Sequence, residues 1–472
     1  MSINQTKQSR YFYSVASPAK QRISAFTAAL LLGLSGIGVV TTAEAAIVFQ
    51  KLVDQGQERP DKADPNSADT FFEVACAVVD GDDVVFRSLH DGFRTGFDSI
   101  WTIKTDASGL RKLIGKNRLV PGGAGRFSAF GPNFGGDYTT SPLLRNGRVV
   151  FFGNDSNPDL NLRGVGGLYS IRLSDGTLKR IANYNTTNPS AGGVKFGQFT
   201  NGGSRQVCHN SYAFNGSKVF FAAATLGNND PAGVYQAAFD GRSLSKVRDN
   251  NDPDTSFAFF QPRNFYGPTL GANPLNGATL YGYAGANVFG PQALYPGSPG
   301  NSHLLVGADN LPGDPSPEDG GSAFTDFLFD GRTAVFFAEA FTVSGRDYYG
   351  IFSRAGVSAP IRKIVTNLNK LPGIAQCPVN EIGSFVADAG RVFFFANTTN
   401  CDGLTANGRM GIFMAKDNKI QRIVSIGTPL GDGSSVVEVM DELGPGSVQG
   451  NRLIFSARTT KALRSLYVAN LP

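Results

Sequence analysis

A turn signal followed by a short apolar strand recurs seven times along this chain, and that repeat limits the fold more than any other feature. It reads Gly81-Asp-Asp-Val-Val-Phe86, Asn146-Gly-Arg-Val-Val-Phe-Phe152, Asn215-Gly-Ser-Lys-Val-Phe-Phe221, Asn276-Gly-Ala-Thr-Leu-Tyr281, Asp330-Gly-Arg-Thr-Ala-Val-Phe-Phe337, Ala389-Gly-Arg-Val-Phe-Phe-Phe395 and Gly450-Asn-Arg-Leu-Ile-Phe455. The anchor glycines Gly81, Gly147, Gly216, Gly277, Gly331, Gly390 and Gly450 are 54 to 69 residues apart. A period near that length is the signature of an array of supersecondary units, each unable to bury its apolar faces alone.

Each unit has a second element, a small residue followed by an aliphatic and an aromatic, as in Gly167-Leu-Tyr169 and Gly411-Ile-Phe413. A third follows shortly, with apolar residues flanking a basic pair, as in Leu178-Lys-Arg-Ile-Ala182 and Ile361-Arg-Lys-Ile-Val365. The seventh unit ends at Pro472 without its third element, whereas Phe49-Gln-Lys-Leu-Val53 supplies a matching segment near the N-terminus. An array whose first strand completes its last unit is a closed ring. The expected fold is therefore all-β, a seven-bladed β-propeller with four antiparallel strands per blade and its ring closed by the N-terminal strand. The blades are expected near residues 70–115, 126–183, 196–248, 257–307, 321–365, 378–424, and 434–470 with 47–53, in one domain over 46–472.

Composition agrees with many short strands and tight turns: 58 glycines, 37 phenylalanines and 17% charged residues. Lys7, Arg10, Lys20 and Arg22, an apolar run from Ile23 to Val40 and the small-x-small Ala43-Glu44-Ala45 read as a signal peptide over residues 1–45. Its removal leaves 39 basic against 37 acidic residues, with no basic patch for nucleic acid and no membrane span in the mature chain. The expected location is periplasmic or extracellular.

The repeat resembles that of an uncharacterised family of exported bacterial β-propeller proteins, whose blades also carry Pro-Gly-Gly and Phe-x-x-Phe. Here these appear as Pro121-Gly-Gly123 and as Phe127-Ser-Ala-Phe130, Phe196-Gly-Gln-Phe199, Phe257-Ala-Phe-Phe260 and Phe324-Thr-Asp-Phe327. The resemblance implies a fold and carries no catalytic residues.

Strand alternation places the tight Asn-Gly hairpins on one face of the ring and the long connections on the other. Loops on a rigid rim are where binding residues gather. The leading expectation is a noncatalytic recognition or scaffold module whose long-loop face, through Asn157, Asp159, Arg346, Tyr348, Asn400, Asp402 and Arg409, contacts a protein, glycan or cell-envelope component. No cofactor is expected in that case. The alternative is a divalent-cation-dependent propeller hydrolase or lactonase, with calcium held by inner-strand carboxylates Glu73, Asp137, Asp326, Glu381 and Glu438. His90, His209 and His303 fall in different blades and suggest neither a zinc cluster nor a triad. Of the four cysteines, Cys377 and Cys401 share the loop-bearing face of one blade and are expected to form a disulfide. Cys76 and Cys208, on inner strands of blades that are not ring neighbours, are expected as buried small hydrophobes.

Overall fold

The repeated Val-Val-Phe-Phe runs are apolar at consecutive positions because the strands that carry them are covered on both sides, one blade stacking on the next. In the computed structural model, strand Arg148–Asp155 is buried at all six interior positions. The structure describes residues 46–472 except 62–68, 90–96, 132–139, 157–165, 191, 200–207, 209–211, 226–232, 250–269, 273–278, 284–292, 298–310, 314–321, 330–332, 341–347, 356–358, 374–377 and 399–409. Residues 45–472 form one compact unit.

The first blade contains β2 (Glu73–Asp80), β3 (Asp83–Leu89), β4 (Ser99–Lys104) and β5 (Arg111–Gly115) in spatial order. In the second, β8 (Arg148–Asp155), β9 (Gly166–Arg172) and β10 (Leu178–Asn183) follow an inner strand split into β6 (Phe127–Ala129) and β7 (Leu143–Arg145). The third repeats this with β11 (Phe196–Phe199), β12 (Tyr212–Phe214), β13 (Lys218–Thr225), β14 (Gly233–Ala238) and β15 (Ser245–Asp249). The next repeat unit gives a three-stranded sheet, β16 (Leu270–Ala272), β17 (Thr279–Tyr283) and β18 (Ala293–Gly297). Two regular blades follow. One is β19 (Ser322–Phe329), β20 (Ala334–Ala340), β21 (Tyr348–Arg354) and β22 (Arg362–Thr366); the other is β23 (Val379–Asp388), β24 (Arg391–Thr398), β25 (Met410–Lys416) and β26 (Lys419–Ser425). The last blade has a split inner strand, β27 (Val436–Val439) and β28 (Val448–Gln449), then β29 (Arg452–Thr459) and β30 (Ser465–Asn470), with β1 (Val48–Asp54) outermost.

The expectation of seven four-stranded blades is thus corrected. Among the described residues the propeller has six blades, and the unit around Gly277 supplies a smaller sheet lying between β12 and β19. Its expected outer strand, around His303, lies outside the described residues. The physical reason is local. β18 carries Pro296, which has no N–H for a ladder, and the surrounding segment is rich in glycine and asparagine where the other units have branched and aromatic residues.

The N-terminal strand does complete the last blade: β1 runs antiparallel to β30, from Val48 opposite Asn470 to Asp54 opposite Ser465. A second set of contacts joins the hairpin turns edge to edge. Arg148 donates to the Gly216 carbonyl at 2.9 Å, Arg391 to the Gly450 carbonyl and Arg452 to the Gly81 carbonyl. In each case the arginine of a Gly-x-Arg or Gly-Arg turn reaches the anchor glycine of the next blade, and the Arg452 tie crosses the closure. Where the first blade has Asp83 at the equivalent position, Asp80 takes over. It accepts from the Asn146 amide and from Gln449 Nε2, both at 2.5 Å.

Within the blades, the first aromatic of the Phe-x-x-Phe segment meets the aromatic of the third strand edge-on. Phe127 with Tyr169, Phe196 with Tyr235 and, in the first blade, Phe71 with Trp101 all have ring centroids 4.9 Å apart. Each such pair adds about 0.5–1.5 kcal/mol to simple burial. The basic residue of the outer strand covers the crossover: Arg180 donates to Gly122 O, Arg422 to Gly373 O, and Lys51 pairs with Asp432 at 3.2 Å. A side chain at Gly122 or Gly373 would collide with those guanidinium groups, and both glycines have positive φ, which explains the Gly in each crossover.

Replacing Arg452 by Ala should cost about 0.5–1.5 kcal/mol, because the tie is exposed and water can reach the Gly81 carbonyl in its place, and chemical denaturation reads this directly. Adding Arg391→Ala should be additive, since the two ties flank opposite sides of the last blade.

A pH dependence follows for Asp432. Burial pushes its carboxyl up, but the Ser434 hydroxyl and amide and the Lys51 ammonium outweigh it and hold the pKa at about 2. Because the unfolded value is higher, its stabilisation is present above about pH 4 and lost as pH falls through about 2. Asp432→Asn should therefore cost about 1–2 kcal/mol near neutral pH, and the two proteins' stabilities in urea should converge toward pH 2.

Candidate functional site

The inner strands do not run uninterrupted down the axis. In the second, third and last blades the inner strand is split into two short strands, and in the last blade residues 440–447 make an excursion between its halves. This segment, Met440-Asp-Glu-Leu-Gly-Pro-Gly-Ser447, is fully described and ties five blades together. Asp441 accepts from the Ser384 amide at 2.7 Å and from its hydroxyl, and Leu443 N donates to Ser384 Oγ at 2.9 Å. Gly444 lies against the second and third blades, where a Cβ would come 2.4 Å from Cys208 O and 2.7 Å from Ser141 Oγ. Ser447 donates to Ala77 O at 3.1 Å, and Val79 N donates to Gly446 O at 2.8 Å, both in the first blade. The excursion therefore occupies the centre of the ring at this level.

Cys76 and Cys208 are joined by a disulfide, with Cα atoms 5.2 Å apart and a sequence separation of 132. This corrects the expectation of two unlinked hydrophobes. Cys208 does not sit on an inner strand but in the chain between β11 and β12, and Cys76 sits where β2 slips register between Ala75 and Val78. Both have positive φ, 52° and 67°, so each backbone leaves the regular strand path at the bridge. Near the axis the blades converge, and residues two blades apart come within bonding distance. Cys377 and Cys401, expected as a pair, lie outside the described residues.

On the loop-bearing side of the axis, Arg464 joins Glu73, at the start of β2, to Glu442 of the central excursion. Glu442 is nearly inaccessible, at 8% side-chain exposure, and its Oε2 has no hydrogen-bond partner. Sequence reading selected Glu73 and missed Glu442. The signal for it was the polar Asp441-Glu442 run in a unit that lacks Phe-x-x-Phe. A second buried cation, Arg59, faces Asp61, Asp69 and Asp98 at 3.3–3.6 Å and stacks 5.0 Å from the Trp101 ring, fastening the segment after β1 to the first blade.

Three of the five expected carboxylates have described side chains. Glu73 is paired with Arg464, Glu438 is half-exposed near Arg458 at 3.8 Å, and Glu381 is exposed on β23. Asp326 is a residue of β19, and Asp137 lies outside the described residues. Among the described residues no three His, Cys, Asp or Glu side chains come together as a metal-holding group. Of the expected rim residues, Tyr348 is buried at 1% exposure and its hydroxyl donates to Pro312 O at 2.7 Å, so it belongs to the core and is not presented for contact. Asn157, Asp159, Arg346, Asn400, Asp402 and Arg409 lie outside the described residues, as do His90, His209 and His303.

Nonreducing peptide mapping should recover Cys76 linked to Cys208. Replacing both by Ala should lower stability by about 3–5 kcal/mol, the range expected for removing a cross-link that closes a loop of this length.

No known protein family matches the chain by sequence, and no curated protein does. Solved structures match in shape. The β-propeller domain of the Trilobed protease from Pyrococcus furiosus, described as having an open velcro topology, aligns at 9% identity with a TM-score of 0.50, over 84% of this chain and 94% of that chain. An oligogalacturonate lyase in complex with manganese aligns at 10% identity and TM-score 0.45, over 90% of this chain and 96% of that chain. The acylaminoacyl peptidase of Pyrococcus horikoshii aligns at 9% and 0.47, over 84% of this chain and 50% of that chain. At such identities the likeness is one of fold, and the fold is the β-propeller already read from the sheets.

Proposed function

We propose that this protein is an exported propeller that takes a ligand on the rim bearing its long connections. The ligand is a protein, glycan or cell-envelope component outside the cytoplasm. One observation carries the choice of rim: on the opposite face the polar groups of the hairpin turns are engaged in ties between blades, as with Arg148, Arg391, Arg452 and Asp80. Groups already bonded within the fold have little left to offer a partner. Export is in keeping with the Cys76–Cys208 disulfide, since such bonds persist in oxidising compartments.

A second reading, a divalent-cation-dependent propeller hydrolase or lactonase, stands nearer to what the neighbouring propellers are named. They include peptidases and lyases, one of the latter in complex with manganese. In that reading the buried, part-satisfied Glu442 beside Glu73 is the place to look for a cation.

Affinity capture with the mature protein from its own envelope fraction tests the first reading. Replacing residues 397–409 with a short Gly/Ser linker, in a Cys377→Ser background, should abolish capture and leave the melting transition in place. Substituting Asp175, Asp240 and Asp417 in the hairpin turns should leave capture intact; loss in that variant alone places the working surface on the other rim. Stoichiometric calcium or manganese in natively purified protein, lost in Glu442→Gln, would transfer support to the second reading.

A further inference from the structure

Leu463, Leu119 and Leu368 are the most exposed large apolar side chains among the described residues, at 68, 66 and 64%. All three sit on the rim of the long connections. Leu119 and Leu368 lie in the crossovers that leave β5 and β22, and Leu463 lies in the connection from β29 to β30. Val194, in the crossover after β10, and Phe72, where the chain enters β2, are exposed on the same rim. The exposed Val48, at the hairpin end of β1 opposite Asn470, is on the other. Single exposed apolar residues are ordinary on a protein surface, but a set gathered on one rim has a cause. Packing does not supply it: Val120 and Leu371 are the buried anchors of the two crossovers, so Leu119 and Leu368 are not needed to hold them down.

Basic residues accompany the apolar ones. Arg118 precedes Leu119, Arg126 faces it across an isolated bridge, Lys195 follows Val194, and Lys370 and Lys461 lie two positions from Leu368 and Leu463. All five are exposed. Arg126, Lys195 and Lys461 donate to neutral oxygens, the Asn117 carbonyl, Asn185 Oδ1 and the Asp432 carbonyl, and among the described residues no carboxylate pairs with any of the five. The acids at this end are placed differently. Asp61, Asp69 and Asp98 face Arg59, Asp432 faces Lys51, and Glu73 and Glu442 face Arg464. Glu381 is an exposed exception. Acidic charge is therefore largely neutralised within the fold, and basic charge is left facing outward beside the leucines.

We propose that this rim docks on an anionic phospholipid bilayer, the leucines entering the acyl boundary and the lysines and arginines meeting lipid phosphates. The proposal rests on the choice of the long-connection rim made above and names its partner. The three leucines belong to connections of different blades, so they share a rim and no pocket. A bilayer meets such a scattered set at once, because it is flat and its lipids rearrange around each tip; a folded partner would need a matching shape around much of the ring. An apolar tip with a cation beside it is the arrangement that holds a peripheral protein at the headgroup level, where hydrophobic insertion and attraction to anionic lipid add.

The test uses residues 46–472, which form the compact unit, so that the apolar run at 23–40 contributes nothing. The protein should float with phosphatidylcholine vesicles containing about 30% phosphatidylglycerol, and at least about tenfold less with pure phosphatidylcholine. Raising salt to about 0.5 M should weaken flotation without abolishing it, since ion screening leaves the apolar contribution in place. Leu119→Asp, Leu368→Asp and Leu463→Asp together should abolish flotation and keep the cooperative melt, whereas Val48→Asp should float like the wild type. If the triple aspartate variant does not fold, the Leu→Ser triple at the same positions replaces it. Arg118→Gln with Lys370→Gln should reduce the preference for phosphatidylglycerol. Absence of flotation in the wild type, or undiminished flotation in the folded triple variant, overturns the proposal. Capture of a protein or glycan through residues 397–409 with no vesicle binding overturns the lipid assignment and leaves the rim standing; flotation lost only on substituting Asp175, Asp240 and Asp417 overturns both.

Discussion

Everything in this propeller rests on the ladder between β1 and β30, because it joins the two ends of the described chain strand to strand. A row of blades that packs face to face must either expose an apolar face at each end or close. Closure by backbone hydrogen bonds removes both ends at once and makes the ring a single cooperative object. The arginine ties between neighbouring hairpin turns repeat the same logic at the edge: each guanidinium of a turn is satisfied by the next blade's glycine carbonyl, and the tie from Arg452 to Gly81 carries it across the closure. The anchor motif is thus more than a turn. Its glycine supplies the positive φ and an accessible carbonyl, while its arginine supplies the donor.

The centre of the ring has the opposite problem. Blades converge there, so regular strands run out of room and chain from several blades must share a narrow volume. Small residues and departures from strand geometry are the result. Gly444 allows the last blade's excursion to touch Cys208 and Ser141, and the slipped register at Cys76 turns its side chain toward a partner two blades away. The disulfide and the Asp441–Ser384 contacts lock this region, which makes the axis a filled structural element at that level. Charge is admitted where it is matched: Arg464 between Glu73 and Glu442, and Arg59 among three aspartates. Arg87 is held by the Phe130 carbonyl and the Phe97 ring, with the Glu73 charge acting on it.

The sequence by itself determined the all-β repeat, the hairpin positions, the aromatic third strand and the N-terminal strand that completes the last blade. Each is written in local periodicity and turn chemistry, and each blade repeats it. In the second blade the segments read from the sequence, Asn146–Phe152, Gly167–Tyr169 and Leu178–Ala182, fall at β8, β9 and β10. Local pattern also misled at two points. The unit around Gly277 has the turn and the aromatic strand but, with Pro296 and few branched residues, yields three described strands and a count of six full blades. Tyr348, chosen for its place near a long connection, turns inward to Pro312 and the core.

Only the tertiary structure decided which cysteines meet and which acids find cations. Cys76 and Cys208 are 132 residues apart, and Glu73 and Arg464 belong to opposite ends of the described chain. No local period encodes such encounters. They arise because ring closure brings the first and last blades side by side, and because the wedge shape of the blades narrows toward an axis where distant excursions must pack together.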